Sequence, residues 1–192
     1  MFRLNLFIIA AAMLMLVGSA DAQDREKSPR GKAATQIGNA WIEVDYSRPI
    51  LRGRRAIFGE NQADTGVYAG APVWRFGANT STRLMTEIPL MFGDSLVEPG
   101  EYSLFAEIAE GDWTLIVSSH KAQKRYQEGD GLWGSYGYDS AKDVARVPLN
   151  IVKMDSSVDQ FTIGFMNVTD AGGSLAFWWD NTMGSAAFQV AQ

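Results

Sequence analysis

Cysteine is absent from the 192 residues of the chain, and histidine occurs once, as His120. Without thiols there can be no disulfide bonds, so the stability of the fold must come from its apolar core. The same absence excludes thiol catalysis and thiolate metal sites, and one histidine cannot make a metal centre of several histidines within one chain. We therefore predict that the protein holds no metal and no other cofactor.

Long apolar runs are also missing, because no run reaches the roughly 20 residues that a membrane-spanning helix needs. The longest, residues 6–17, follows Arg3 and precedes the small residues Ala20 and Ala22. A cation, an apolar stretch and a small-x-small sequence in this order are typical of a secretory signal peptide. We expect cleavage after Ala22, no membrane anchor in the mature chain, and a location in the periplasm or outside the cell.

Positive charge is in deficit, with 17 Lys+Arg against 22 Asp+Glu and a formal net charge of −5 when histidine is neutral. This balance predicts repulsion from nucleic acid, so we expect no nucleic-acid partner. Phosphate-binding glycine loops, calcium-binding repeats and the GxSxG turn of serine hydrolases are absent as well. The sequence therefore offers no catalytic residues by motif, and it leaves the oligomeric state open.

What the chain does contain, from about Thr35 onward, is an alternation of apolar and polar residues. In AWIEVDY, residues 40–46, apolar side chains fall on one face and acidic ones on the other. The same pattern recurs in GEYSLFAEI (100–108), WTLIVS (113–118), QFTIGFM (160–166) and SLAFWWD (174–180). A period of two with Gly, Asn and Asp turns between the runs is typical of half-buried strands joined by hairpins.

The fold class follows from the number of these runs, about eight or nine, and from the lack of any long helical pattern. We predict an all-β protein, a single antiparallel β-sandwich in which only residues 140–144 could form a helical turn. Pro148 cannot donate to a neighbouring strand, so the strand predicted over residues 145–152 should lie at a sheet edge. The expected organisation is a signal peptide (1–22), a polar leader (23–34) and the β-sandwich domain (35–192).

Two connections, residues 47–78 and 120–139, are too long for simple turns, and ordered loops of such length are often functional. The first begins with a cluster of arginines, Arg48, Arg52, Arg54 and Arg55, and leads into VWRFGANTST (73–82). The second contains WGSYGYD (133–139). Guanidinium groups suit carboxylate, phosphate or sulfate, and aromatic rings can stack on the apolar face of a sugar.

The resulting hypothesis is one ligand-binding site formed where the two connections meet. Its candidate residues are Arg48, Arg54, Trp74, Arg75, Asn79, Trp133, Tyr136 and Tyr138. A structural interpretation stays open for each of them: the arginines can bind backbone carbonyls or acids, the asparagine can stabilise a turn, and the aromatic rings can close one end of the sandwich.

Three functions are compatible with these residues. The first is a non-catalytic binding domain for a carbohydrate or an anionic small molecule. The second is a hydrolase of envelope or polysaccharide material that uses a carboxylate pair, although the candidates Glu43, Asp45, Glu101 and Glu107 alternate with core residues and suggest a solvent face. The third is a structural or interaction domain without a small ligand. His120 is interpreted as a solvated loop residue.

The chain also resembles a bacterial family known as domain of unknown function 2911. The matching segments are VDYSRP (44–49), RGR (52–54), IFG (57–59), VWRFGANTST with its WRxGAN signature (73–82), PGEYSLF (99–105), WGSYGYD (133–139) and the strand pair around Phe165 and Phe177. The resemblance implies an exported β-rich domain of a kind often found in Bacteroidetes-type genomes. It implies no established activity and supplies no catalytic residues.

Overall fold

The computed structural model describes residues 26–54, 57–58, 66–109 and 111–191. Regular structure in these residues consists of ten strands and one short 3₁₀ helix. The strands are β1 (Arg30–Ile37), β2 (Ala40–Ser47), β3 (Thr82–Thr86), β4 (Leu90–Phe92), β5 (Ser95–Val97), β6 (Gly100–Ile108), β7 (Trp113–Ser118), β8 (Asp143–Pro148), β9 (Asn150–Thr169) and β10 (Gly172–Val190). The signal peptide predicted for residues 1–22 lies outside the described residues.

The strands form two antiparallel sheets, which confirms the all-β prediction. One sheet has six strands in the order β1-β2-β3-β6-β7-β8, and the other has four in the order β5-β4-β10-β9. The edge strand predicted over residues 145–152 is divided between two strands: β8 ends at Pro148, at the edge of the six-stranded sheet, and β9 begins at Asn150, at the edge of the other. The 3₁₀ helix Ser140–Lys142 falls within the segment expected to form one helical turn.

An aromatic core joins the inner faces of the two sheets. Tyr46 of β2 meets Phe161 of β9 edge-on with ring centroids 5.7 Å apart, and Trp113 of β7 stacks on Phe177 of β10 at 6.1 Å. Buried side chains of this size each stabilise the fold by roughly 1.5–3 kcal/mol relative to exposure. The sheets therefore pack face to face, and a core of aromatic rings stabilises a fold that has no cysteine for disulfide bonds.

The first strand begins at Arg30, inside the segment 23–34 that the sequence assigned to a polar leader. β1 pairs with β2 along its whole length and buries Ala33. Its charged residues face outward, where Lys32 binds Glu43 and Arg30 binds Asp45, both on β2. Charged side chains are common on edge strands because they discourage further pairing, and here they gave a strand the composition of a leader.

The last two strands extend far beyond the alternating stretches that predicted them. β9 has 20 residues and β10 has 19. Their pairing shifts register between Trp178 and Thr182, and most side chains of residues 150–157 lie in solvent. Both features remove the regular alternation. Neither β1 nor the three-residue strand β4 was predicted, and the described residues hold ten strands rather than about eight or nine.

Two long segments connect the strands of the six-stranded sheet. The first connection, residues 48–81, runs from β2 to β3, and the second connection, residues 119–139, leads from β7 to the 3₁₀ helix. Arg55 and residues 59–65 of the first connection lie outside the described residues. In the part of the chain that is described, no helix is long and apolar enough to span a bilayer.

Candidate functional site

The segment around Trp74 continues the pairing with β6 beyond Thr82, the first residue of β3. Trp74 and Ala106 of β6 exchange two backbone hydrogen bonds of 2.8 Å, an antiparallel bridge. Side chains alternate across such a bridge. Trp74 therefore enters the core between the sheets, while Val73 and Arg75 lie on the outer face of the six-stranded sheet.

Trp74 is fully buried. Its ring lies nearly parallel to that of Trp179 at 6.2 Å, and its Nε1–H donates to the carbonyl of Gly77 at 3.2 Å. Both the ring faces and the single donor of the indole are engaged within the protein. A ligand on the surface has no access to this side chain.

Arg75 joins the two connections. It is 8% exposed, donates from Nη1 to the carbonyl of Asn79 at 3.2 Å, and lies over the Tyr136 ring with Cζ 5.0 Å from the centroid. Gly134 packs against the guanidinium so closely that a Cβ there would lie 2.6 Å from Nη1. The guanidinium is therefore a bridge within the protein.

Further contacts hold the connections together on the outer face. Ser135 Oγ donates to the carbonyl of Val73 at 2.7 Å, and the Tyr136 hydroxyl donates to that of Ala69 at 2.8 Å. Ser81 Oγ donates to the carbonyl of Gly134. Beneath them is a second apolar cluster, made by Val73, Phe105 and Ile116 with Leu132 and Tyr138 packed against it.

The side chains of Arg48, Arg54 and Trp133 contact other parts of the protein. Arg48 donates to the carbonyl of Phe161 at 3.3 Å and to Thr162 Oγ1 at 3.2 Å, both on β9 of the opposite sheet. Arg54 donates to two carbonyls of its own loop and lies over a tryptophan ring. Asn79 is exposed at a positive φ of 58°, and the ring of the half-buried Trp133 meets that of the exposed Tyr126, with centroids 5.4 Å apart.

The structure therefore brings Arg75, the Asn79 carbonyl, Tyr136 and Tyr138 to the meeting point of the connections. It does not bring Arg48, Arg54 or Trp133 there, and Trp74 lies on the core side of the same segment. The prediction that all these residues bind one ligand remains a prediction. Their contacts match the structural interpretation more closely.

An open depression of about 460 Å³ lies between the connections, over the outer face of β6 to β8. We call it the outer-face depression. It is lined by Pro72, Val73, Glu107, Tyr138, Ser140, Asp143 and Arg146. Among the residues that the sequence put forward for ligand binding, only Tyr138 lines it.

Four of the lining side chains form a polar cluster, in which the guanidinium of Arg146 contacts the other three, Glu107, Tyr138 and Asp143. Its Nη1 donates to Asp143 Oδ2 at 2.8 Å and to the Tyr138 hydroxyl at 3.1 Å, and its Nη2 forms an ion pair with Glu107. Tyr138 in turn donates its hydroxyl hydrogen to Asp143 Oδ2 at 2.6 Å. Charge-assisted hydrogen bonds of this kind are stronger than neutral ones.

The cluster keeps Tyr138 in its phenol form. Burial raises the pKa of Tyr138 above its ordinary value, the hydrogen bond to the charged Asp143 raises it further, and the nearby Arg146 guanidinium opposes the change. The hydroxyl therefore remains a donor to the carboxylate at neutral pH. It is held in place rather than prepared as a base.

One oxygen of the cluster has no partner. The Asp143 side chain is only 7% exposed, and its Oδ1 has no hydrogen-bond donor among the residues that the structure describes. A buried acceptor without a donor costs roughly 1–3 kcal/mol, and more when it is charged. Among the described residues, Gln123 Oε1 is the other buried side-chain oxygen without a partner.

His120 is buried, not solvated as the sequence suggested. Its Nε2 lies 3.0 Å from the backbone nitrogen of Asp139 and 3.2 Å from the carbonyl oxygen of the same residue. The ring lies 6.0 Å from that of Tyr138 and meets Phe105 edge-on. His120 thus supports the second connection where it borders the depression.

In the described parts of the chain, no group of three or more acidic, histidine or cysteine residues could hold a metal ion.

The other acidic candidates form an ion-pair ladder on the solvent face of β1, β2, β3 and β6. Arg83 binds Asp45 at 2.7 Å and Glu101 at 3.1 Å, while Lys32 binds Glu43 at 2.9 Å. The sequence pattern did not single out Asp143 and Arg146. They are three residues apart, a spacing that regular alternation puts on opposite faces of a strand. Only the fold, with its register shift between Val117 and Ser118, brings both to the depression beside Glu107.

The fold and the site together define a two-sheet antiparallel β domain whose long connections cover one sheet face and border a charged depression. The chain belongs to the family described as Protein of unknown function (DUF2911), whose model matches residues 28–188. This confirms the resemblance seen in the sequence. Comparisons with curated proteins and with solved structures gave no match.

Proposed function

We propose that the protein is a non-catalytic binding domain whose ligand, a small polar molecule of the carbohydrate class, occupies the outer-face depression. The observation that carries the proposal is the open depression of about 460 Å³ between the two connections. Ligand sites are typically concave, roughly 300–1,000 Å³ in volume, with apolar walls and a few convergent polar groups. Pro72 and Val73 supply an apolar wall here, and Glu107, Tyr138 and Arg146 supply polar groups.

The partners of the arginines favour a carbohydrate over an anion. Arg48, Arg54 and Arg75 all donate to oxygen atoms of the protein itself. Arg146 does face the depression, but it already contacts the carboxylates of Glu107 and Asp143. An anion entering the depression would meet these two negative charges.

Export is part of the proposal and is supported by the sequence of residues 1–22. These residues have the order of charge, apolar stretch and small residues that secretory signal peptides share. We infer that the mature domain acts in the periplasm or outside the cell. Envelope or extracellular polysaccharides would be accessible to it there.

A blocking substitution tests the location of the site. Ser140 is exposed at the rim of the depression, so Ser140→Trp should fill it without disturbing the core. Ser156→Trp, at an exposed position on β9, is the matched control. Purified protein is titrated calorimetrically with a panel of neutral, amino and acidic oligosaccharides.

We expect at least one oligosaccharide to bind the unmodified protein and Ser156→Trp, and to bind Ser140→Trp at least tenfold more weakly. Equal binding by both variants would place the site elsewhere and reject the proposal. Absence of binding across the whole panel would reject it as well.

One observation keeps hydrolysis as a second candidate: Glu107 and Asp143 line the same depression. Carboxylate pairs cleave glycosidic bonds when one carboxyl holds a proton and the other is charged. In this site the guanidinium of Arg146 contacts both carboxylates. This shared contact does not make one of them the acid and the other the charged partner. Release of reducing ends from a bound oligosaccharide, lost in Glu107→Gln, would make the protein a hydrolase.

A further inference from the structure

The charges of the outer-face depression indicate the class of ligand, and this inference rests on the function proposed above. The lining side chains include two carboxylates, Glu107 and Asp143, and one guanidinium, Arg146. Their charges sum to −1 at neutral pH. The whole chain is also acidic, with a formal net charge of −5, so its long-range field attracts cations.

The hydrogen-bond donors of the cluster face acceptors of the protein. Arg146 contacts Glu107, Asp143 and Tyr138, and the Tyr138 hydroxyl hydrogen is directed to Asp143. The groups left for a ligand are mainly acceptors. These are the unpartnered Oδ1 of Asp143 and the carboxylate of Glu107, whose side chain is 49% exposed.

An unpartnered carboxylate oxygen calls for a donor, and a positively charged donor satisfies it best because charge-assisted bonds are the strongest. A neutral hydroxyl would donate the missing hydrogen bond to Asp143 Oδ1 but would leave the excess negative charge. An ammonium group would donate the hydrogen bond and also balance the charge. It also has three hydrogens to share between neighbouring carboxylates.

We propose that the ligand carries a primary ammonium group, as an amino sugar does, and that this group binds Asp143 and Glu107 in the depression. Asp143 Oδ1 is covered from solvent in the free protein. Arg146 contacts the neighbouring oxygen, Oδ2, and its side chain is 40% exposed, so we expect the ammonium to displace the guanidinium toward solvent and reach the carboxylate. The ammonium then takes over part of the contact that the guanidinium makes in the free protein.

This exchange has a consequence that separates it from other binding modes. If an ammonium competes with Arg146 for the same carboxylates, Arg146→Gln should bind the amine more tightly than the unmodified protein does. If instead Arg146 donates to a ligand hydroxyl or anion, the same substitution should weaken binding. Arg83→Gln removes an equal charge from the same sheet face, outside the depression, and serves as the control.

The experiment is calorimetric titration of the full mature protein with a glucosamine tetramer, its N-acetylated counterpart and cadaverine. We expect the glucosamine tetramer to bind at least tenfold more tightly than the acetylated form, and its affinity to fall with added salt. Asp143→Asn should weaken that binding by about tenfold or more. Arg146→Gln should strengthen it, and Arg83→Gln should change it little.

Cadaverine, a diamine without a sugar ring, distinguishes recognition of the ammonium alone from recognition of an amino sugar. Binding equal to that of the glucosamine tetramer would show that the charge alone is recognised, and weaker binding would show that the sugar ring contributes. Should Arg146→Gln fail to fold by circular dichroism, Arg146→Lys and Glu107→Gln replace it. The lysine variant should then bind the amine no more tightly than the unmodified protein, and Glu107→Gln should bind it less tightly.

Equal binding of the acetylated tetramer, weaker amine binding by a folded Arg146→Gln, or no amine binding would overturn the inference. The proposed function survives those results if Ser140→Trp still blocks a neutral ligand. Amine binding that Ser140→Trp leaves unchanged would reject both the inference and the proposed function.

Discussion

Arg75 and Arg146 both place a guanidinium on the outer face of the six-stranded sheet, but their surroundings differ. Arg75 is 8% exposed and contacts a carbonyl and a ring. Arg146 is 40% exposed at the side chain and contacts two carboxylates beside an open depression. Burial and partners therefore make Arg75 part of the scaffold and leave Arg146 able to respond to a ligand.

At the residue scale we predict that Arg75→Ala destabilises the fold. The variant leaves the Asn79 carbonyl without its donor and a gap beneath Gly134, and the loss of a buried charged hydrogen bond costs roughly 1–3 kcal/mol. Urea denaturation followed by fluorescence measures the change. Arg125→Ala, whose side chain is 84% exposed, is the control and should stay within about 0.5 kcal/mol of the unmodified protein. Equal stability of both variants would contradict the scaffold role.

At the element scale, alternation predicted strands that have one buried face and one face turned toward solvent, such as β2. It could not reveal β1, because an edge strand with Arg30 and Lys32 outward has the composition of a leader. It also missed the full length of β9, whose first half lies largely in solvent. The site was predictable only in part: Tyr138 stands in a conspicuous aromatic loop, whereas only the fold brings Asp143 and Arg146 to the depression beside Glu107.

Asp45 clamps three neighbouring strands, because Arg30 of β1 and Arg83 of β3 both bind it. Burial alone would raise the pKa of Asp45, but the hydrogen bonds and charges of the two arginines outweigh it, and the pKa lies below the ordinary value of 3.8. A lowered pKa in the folded state contributes stability above the unfolded-state value, about 3.9. That contribution is lost as pH falls through the folded-state pKa.

We therefore predict that Asp45→Asn is less stable than the unmodified protein at pH 7 and that the difference shrinks as pH falls below about 4. Urea denaturation at a series of pH values gives the free energy of unfolding of each protein. Asp155→Asn, at an exposed position on β9, is the control and should differ little at any pH. A difference for Asp45→Asn that stays constant down to acid pH would show that the clamp is not electrostatic.

At the scale of the whole molecule, stability depends on one aromatic core shared by two sheets, since the chain has no cysteine. Phe177 of β10 lies near the centre of this core. It stacks on Trp113 of the six-stranded sheet at 6.1 Å and meets Trp74 edge-on at 5.8 Å. Because rings from both sheets meet there, neither sheet can keep its inner face buried without the other.

This arrangement predicts that both sheets unfold together and that Phe177→Ala weakens them equally. Loss of a buried phenylalanine ring costs about 3–5 kcal/mol, a large part of the roughly 5–15 kcal/mol that stabilises an ordinary domain. Far-ultraviolet circular dichroism and tryptophan fluorescence should give coincident unfolding curves, shifted together in the variant. Val152→Ala, at a partly exposed position, should shift them little. Separate transitions from the two probes would mean that the sheets are independently stable, and that the core does not couple the sheet bearing the depression to its partner.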